Sequence, residues 1–217
     1  MNQSAADNDI LLKGAWYGLL RELVAAIPSK AADTLVLGQA RFVVGKRLQR
    51  SKDRGSPDAA AALEHFNDLM GEIVQAEPSS AEISFAAQLE HSAQTAGLAL
   101  DAGESLLCAI VVHRGLHRLA TGDKRAIRAL ETLSDQRSDL GQIHGKVVCL
   151  EQLFLRLLRK CSPLAVRTAV YSRPDVDKAL TACFAHAPGQ GMTEDWASGL
   201  ASYIRALRRE APTMLAS

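Results

Sequence analysis

Aromatic side chains are scarce in this chain, at 5% of 217 residues, while Ala and Leu are abundant. That balance favours helices. Cysteine is scarce too. Cys108, Cys149, Cys161 and Cys183 fit neither a zinc-site spacing nor a CxxC redox motif. Cys108 and Cys149 sit in apolar runs and read as core thiols. Net charge is nearly absent, at +1, so the whole chain carries no bulk signature of a polyanion partner. No apolar run reaches the length of a membrane span. The N-terminal MNQSAADND is polar and acidic and has no leader character, so the expectation is a cytoplasmic protein without a membrane partner. Neither GxGxxG nor GxxxxGK[ST] occurs, and no Ser–His–Asp arrangement can be argued. Dinucleotide, P-loop and kinase chemistry are thereby disfavoured.

What is present is an ordinary globular composition, 47% apolar and 23% charged, in a chain long enough to bury a sizeable core. The charge is distributed unevenly. Arg41, Lys46, Arg47, Arg50, Lys52 and Arg54 form one basic run. Arg114, Arg118, Lys124, Arg125 and Arg128 form another. Such patches bind phosphates or simply solvate a helix face, and both readings stay open.

Periodicity predicts a helix over Ile10–Ile27, stopped by Pro28. A β-branched strand at Thr34–Leu37 follows, then helices over Ala40–Arg50 and Ala59–Met70. Glu72–Ala76 is a second strand candidate, and Ser79 or Ser80 caps a helix that stops at Gly97. Asp101 and Glu104 have the spacing of a capping box ahead of a nearly all-apolar helix. Strand candidates at Leu116–Thr121 and Lys146–Leu150 alternate with helices at Lys124–Leu133 and Glu151–Lys160. Beyond Cys161, prolines divide the chain into helical pieces. One of these, Met192–Arg209, carries Trp196, Leu200, Tyr203, Ile204 and Leu207 on one side, read as intramolecular packing. The alternation predicts a parallel sheet with crossover helices over residues 1–161 and a helical extension over 162–217. A mainly helical regulator with no sheet is the competing architecture.

In parallel sheets, sites form outside the carboxyl ends of the strands. Asp123 falls at such an end, and so does Asp7 if a brief strand precedes it. Asp101, Glu104 and Asp123 surround one helix and one strand. Oxygen donors of this kind suit a hard divalent cation that activates water for phosphodiester cleavage. Each also has a simpler role. Asp7, Asp101 and Asp123 can cap helices, and Asp9 and Glu104 sit in first turns, where acids favour the helix dipole. Lys124 and Arg125 either meet a substrate phosphate or offset the acids.

AADNDILLK resembles the first motif of PIN-domain nucleases. LDAGES, an apolar helix and then LATGDKRAI are similar to the C-terminal half of PIN-like domains. The resemblance covers roughly residues 1–155. It implies a PIN-like three-layer α/β fold with a short central parallel sheet. It further implies a ribonuclease holding one or two Mg²⁺ or Mn²⁺ ions on Asp7, Glu104 and Asp123, with Asp9 and Asp101 as further candidate ligands. RNA would lie along Arg41, Lys46, Arg47, Lys124 and Arg125. An antitoxin, a larger RNA complex and a homodimer are the implied protein partners. There are two departures. The segment before Asp7 is not apolar, so its strand is expected to be short or exposed. The acid usual on the helix after strand two is missing from VLGQARFVVGKRL; either it is absent or Asp58 or Glu64 takes its place. A catalytically silent PIN-like binding module is the alternative function.

Overall fold

In the computed structural model, residues 3–27, 33–185 and 192–217 are described. Pro28, which the sequence reading used as a helix stop, lies outside them. Five parallel strands form one sheet in the order β3-β2-β1-β4-β5. They are β1 (Ser4–Ala6), β2 (Thr34–Leu37), β3 (Val74–Ala76), β4 (Arg118–Thr121) and β5 (Val147–Cys149). The sheetless architecture is thereby excluded, and the fold is a three-layer α/β arrangement with a helical C-terminal part.

Side chains along each strand alternate between two cores, as the pleat requires. Ala6, Val36, Ala120 and Val148 face one core; Ala5, Leu35, Leu119 and Val147 face the other. The first core is covered by α1 (Asn8–Tyr17), α2 (Leu20–Ala26), α3 (Ala40–Asp53), α4 (Ala59–Met70) and α8 (Leu150–Lys160). The second is covered by α5 (Ser80–Thr95), α6 (Ala102–His113) and α7 (Lys124–Ser134). Helices on both faces are what an all-parallel sheet needs.

The central strand, expected to be short or exposed, is short, and the exposed alternative is corrected. Ser4, Ala5 and Ala6 are almost wholly buried rather than exposed. Their small side chains hide the strand from a hydropathy reading, although β1 pairs with both β2 and β4. A second correction concerns the first helix, which is two. Gly18 adopts a left-handed conformation (φ 63°) and its N–H caps α1 through the Ala15 and Gly14 carbonyls. Apolar periodicity continues across this break, so the sequence reads as one helix.

The C-terminal part, α9 (Pro163–Tyr171), α10 (Lys178–Cys183) and α11 (Met192–Glu210), enters both cores. Val166, Val170, Leu180, Phe184, Trp196 and Leu200 pack in the first core, and Leu207 in the second. Tyr203 does not join them and stays 39% exposed. The chain end then runs beside β5, where Val147 N–H donates to Met214 O and Ala216 N–H to Val147 O. Among the described residues, no helix is long and apolar enough to cross a membrane.

Candidate active site

The chain runs from β1 outward to β2 and β3, then returns to lay β4 on the other side of β1. The β1/β4 junction is therefore the switch point of the sheet, where diverging connections leave a crevice beyond the carboxyl ends. Ala6 of β1 is in register with Ala120 of β4, and Asp7 N–H continues the ladder to Ala120 O at 3.0 Å. Asp7 and the turn Gly122-Asp123 thus leave the sheet side by side.

A cleft of about 510 Å³ opens there. Asp7, Asp9, Asp101, Glu104 and Asp123 all line it, together with Lys13, Arg47 and Arg125. All five acids that the sequence singled out therefore share one cleft, although they lie on three separate stretches of chain.

Asp7 is the most enclosed, 6% exposed. It caps α1, its Oδ1 accepting from Ile10 N at 2.8 Å, and its Oδ2 accepts from the Thr121 hydroxyl. Thr121 Oγ1 in turn accepts from Asp123 N at 3.1 Å, so one hydroxyl ties the two acidic turns together. Burial, with the neighbouring Asp9 charge, pushes the Asp7 carboxyl up to about 7 against these hydrogen bonds. Glu104 completes a capping box with Asp101. Glu104 N donates to Asp101 Oδ1 at 2.8 Å, and Asp101 N donates to Glu104 Oε2 at 2.9 Å. Burial and the charges of Asp101, Asp123 and Asp7 push Glu104 up to about 8.

Asp123 caps α7 and is embraced by Arg125. Arg125 N and Nε donate to Oδ1 at 2.7 and 3.2 Å, and a terminal nitrogen donates to Oδ2 at 2.7 Å. Burial opposes ionisation of Asp123, but these bonds and the Arg125 charge outweigh it and hold the carboxyl below its ordinary range. The Arg125 side chain is 73% exposed, so this clasp is open to solvent.

Two partners escaped the sequence reading. Lys13 Nζ sits 2.7 Å from Asp9 Oδ2 and 2.7 Å from Asp177 Oδ2, bridging α1 to the turn that opens α10. The Asp9–Lys13 spacing of four residues on a helix was a readable signal. Nothing local pointed to Asp177. Gly122 is the other. A Cβ there would lie 1.9 Å from Asp9 Oδ2, so any larger residue would have to push the Asp9 carboxylate aside.

The predicted phosphate contacts divide. Arg47 and Arg125 line the cleft, and Lys46 lines an adjoining groove. Arg41 is exposed on α3. Lys124 instead pairs with the buried Glu151 carboxylate and lies 4.9 Å from the Tyr203 ring centroid. Asp58 and Glu64 are exposed and neither lines the cleft. On the side where the additional acid was sought, Leu37, Val43, Val44 and Arg47 form the wall.

The donor set is all oxygen and suits a hard cation. Among the described residues Glu104 Oε1 makes no hydrogen bond, and Asp7 lies within reach of Glu104's charge. As the side chains stand, no group of three acids, imidazoles or thiols among the described residues is gathered tightly enough to grip an ion. Magnesium keeps several waters and needs only one or two direct carboxylates, so a loosely gathered set still fits it. Compared with protein-family models, curated proteins and solved structures, the chain has no match in any of the three.

Proposed function

We propose that the protein is a PIN-like ribonuclease that hydrolyses RNA phosphodiester bonds with the help of Mg²⁺ or Mn²⁺, in the cytoplasm. The observation that carries this reading is the convergence of Asp7, Glu104 and Asp123 on one crevice at the switch point of a parallel sheet. Asp7, Glu104 and Asp123 would hold the ion, with Asp9 and Asp101 beside them. A bound divalent ion supplies a water acidic enough to attack at neutral pH and a counter-charge for the leaving oxygen.

The chain's own residues set the conditions. Thr121 holds Asp7 and Asp123 in fixed relation, and the Asp101 capping box fixes the start of α6 beneath Glu104. Two of the carboxylates hold protons near neutrality because they are crowded and enclosed, which is the state a cation relieves. Arg125 releases Asp123 at little cost, because its guanidinium already faces water, and is then free for a phosphate. Lys13 is anchored by Asp177 and keeps the Asp9 corner of the cleft from repelling RNA.

A second reading, a catalytically silent nucleic-acid-binding module, has one observation in its favour. Leu37, Val43 and Val44 stand where a further carboxylate was expected. The two are separated by incubating a labelled single-stranded RNA with wild type and Asp123→Asn, each with Mn²⁺ and with EDTA. The nuclease reading predicts cleavage by wild type with Mn²⁺ alone. Equal cleavage in all four samples, or none in any, removes it.

A further inference from the structure

The outer face of α3 is the one part of the cleft's surroundings that neither carboxylate chemistry nor folding explains. The helix carries five cations, Arg41, Lys46, Arg47, Arg50 and Lys52, against one anion, Asp53, which accepts a hydrogen bond from Gln49. None of the five takes part in an ion pair among the described residues, whereas arginines elsewhere, such as Arg114, Arg128 and Arg137, do. Phe42, on the same face, is 65% exposed, more than any other large apolar residue described, and Val43 beside it is 51% exposed. Phe42 and Val43 thus form an exposed apolar pair on a basic face, and they share one groove with its cations.

Phe42, Val43, Lys46, Arg47 and Arg50 line a single open groove of about 390 Å³. Two of them, Val43 and Arg47, also line the carboxylate cleft, so the groove continues from it. Phe42, Lys46 and Arg50 stand at intervals of four residues and therefore form a row along the helix. Each interval advances about 6 Å, comparable to the step between successive phosphates of an extended single strand.

We propose that this groove is a subsite for a single-stranded nucleic-acid segment flanking the bond in the cleft. One base lies against the Phe42 ring, and Lys46, Arg47 and Arg50 take the adjoining phosphates. A flat π-face among unpaired cations is the combination that binds single strands without base selection. A second copy of this chain fits poorly, because two α3 faces would bring like charges together. The subsite rests on the proposed nuclease reading for what lies in the cleft, but strand binding is measured without metal, so the two fail separately.

The test is fluorescence anisotropy of a labelled 12-nucleotide oligouridylate on the full chain in EDTA, across about 50 to 200 mM salt. Phe42→Ala is expected to weaken binding roughly 5- to 100-fold with an unchanged salt slope, as loss of one stacked base requires. Phe42→Trp retains binding. Arg47→Gln weakens binding and reduces the salt slope by about 0.7, one phosphate on a single strand. A matched abasic oligomer binds wild type and Phe42→Ala alike. The proposal is overturned if Phe42→Ala binds oligouridylate as wild type does, or if polyglutamate binds as tightly as the oligomer. It is equally overturned if wild type does not bind the oligomer, or if sedimentation shows a dimer that Phe42→Ala dissolves. Loss of cleavage with binding intact would instead count against the nuclease reading alone.

Discussion

Two regions of this molecule enclose charge and treat it differently. On the β5 flank, the Glu151 carboxylate is 2% exposed and is met by Lys124, which also caps the Tyr203 ring. Nearby, Gln152 donates to Ala216 O at 2.8 Å, and Glu131 receives Thr213 and Met214 of the chain end. Every buried charge there has its opposite, and the result ties the C-terminal helices to the sheet. At the β1/β4 junction, five carboxylates line one cleft with three cations, and two of those cations stand partly in water. Asp7 and Glu104 respond by holding protons up to about 7 and about 8. Paired charge ties the fold together on the β5 flank, and the crowded acids of the cleft are what the proposed metal-binding reading rests on.

The sharpest way to break this contrast is to remove a charge from each region. Asp7→Asn and Asp123→Asn are expected to lower Mn²⁺-dependent RNA cleavage by roughly two to four orders of magnitude, while leaving the fold intact, since Asn also caps helices well. Lys124→Met should do the reverse. It strands Glu151 without its partner and costs about 3 kcal/mol of stability in urea unfolding, with Mn²⁺ affinity unchanged.

Next in size is the pH dependence. The folded chain keeps protons on Asp7 and Glu104 that the unfolded chain releases near pH 4, so it binds more protons than the unfolded chain across that window. Stability of the metal-free protein therefore falls as pH rises from about 4 to about 8, and Asp7→Asn flattens the decline. Mn²⁺ affinity runs the other way, rising about tenfold per pH unit for each proton displaced, up to about pH 8. Thermal melts and Mn²⁺ titrations at pH 5, 6.5 and 8 test both signs. The smallest effect expected is that of Gly122→Ala. Its Cβ must push Asp9 aside and loosen the Lys13 bridge, costing about 1 kcal/mol of stability and a few-fold in cleavage.

Local chemistry made much of this legible in the sequence. The capping box at Asp101–Glu104 and the strand at Thr34–Leu37 are written in adjacent residues and form where those residues predict, and the cap left open between Ser79 and Ser80 is Ser79. The acids of the cleft were legible as well, because they lie directly after strands or at helix starts. Three features were not. Ser4–Ala6 is the central strand, yet it is too small and mixed to announce itself, because its burial comes from neighbours on both sides. The break at Gly18 is backbone geometry under an unbroken apolar pattern. The Lys13–Asp177 bridge joins residues 164 apart, and only folding brings them together. The face of α3 fell between these cases: its cations stood out in the sequence, but the exposure of Phe42 among them did not.

Uptake of a hard cation by the carboxylate cleft is the property on which the proposed chemistry depends. Mn²⁺ titration followed by electron paramagnetic resonance at pH 8, on wild type, Asp7→Asn, Asp123→Asn and Lys124→Met, measures that without reference to any substrate. Saturable binding by wild type and Lys124→Met, weakened roughly 10- to 100-fold in both Asp variants, is the predicted result. Absence of binding by wild type, or equal binding by all four proteins, contradicts it.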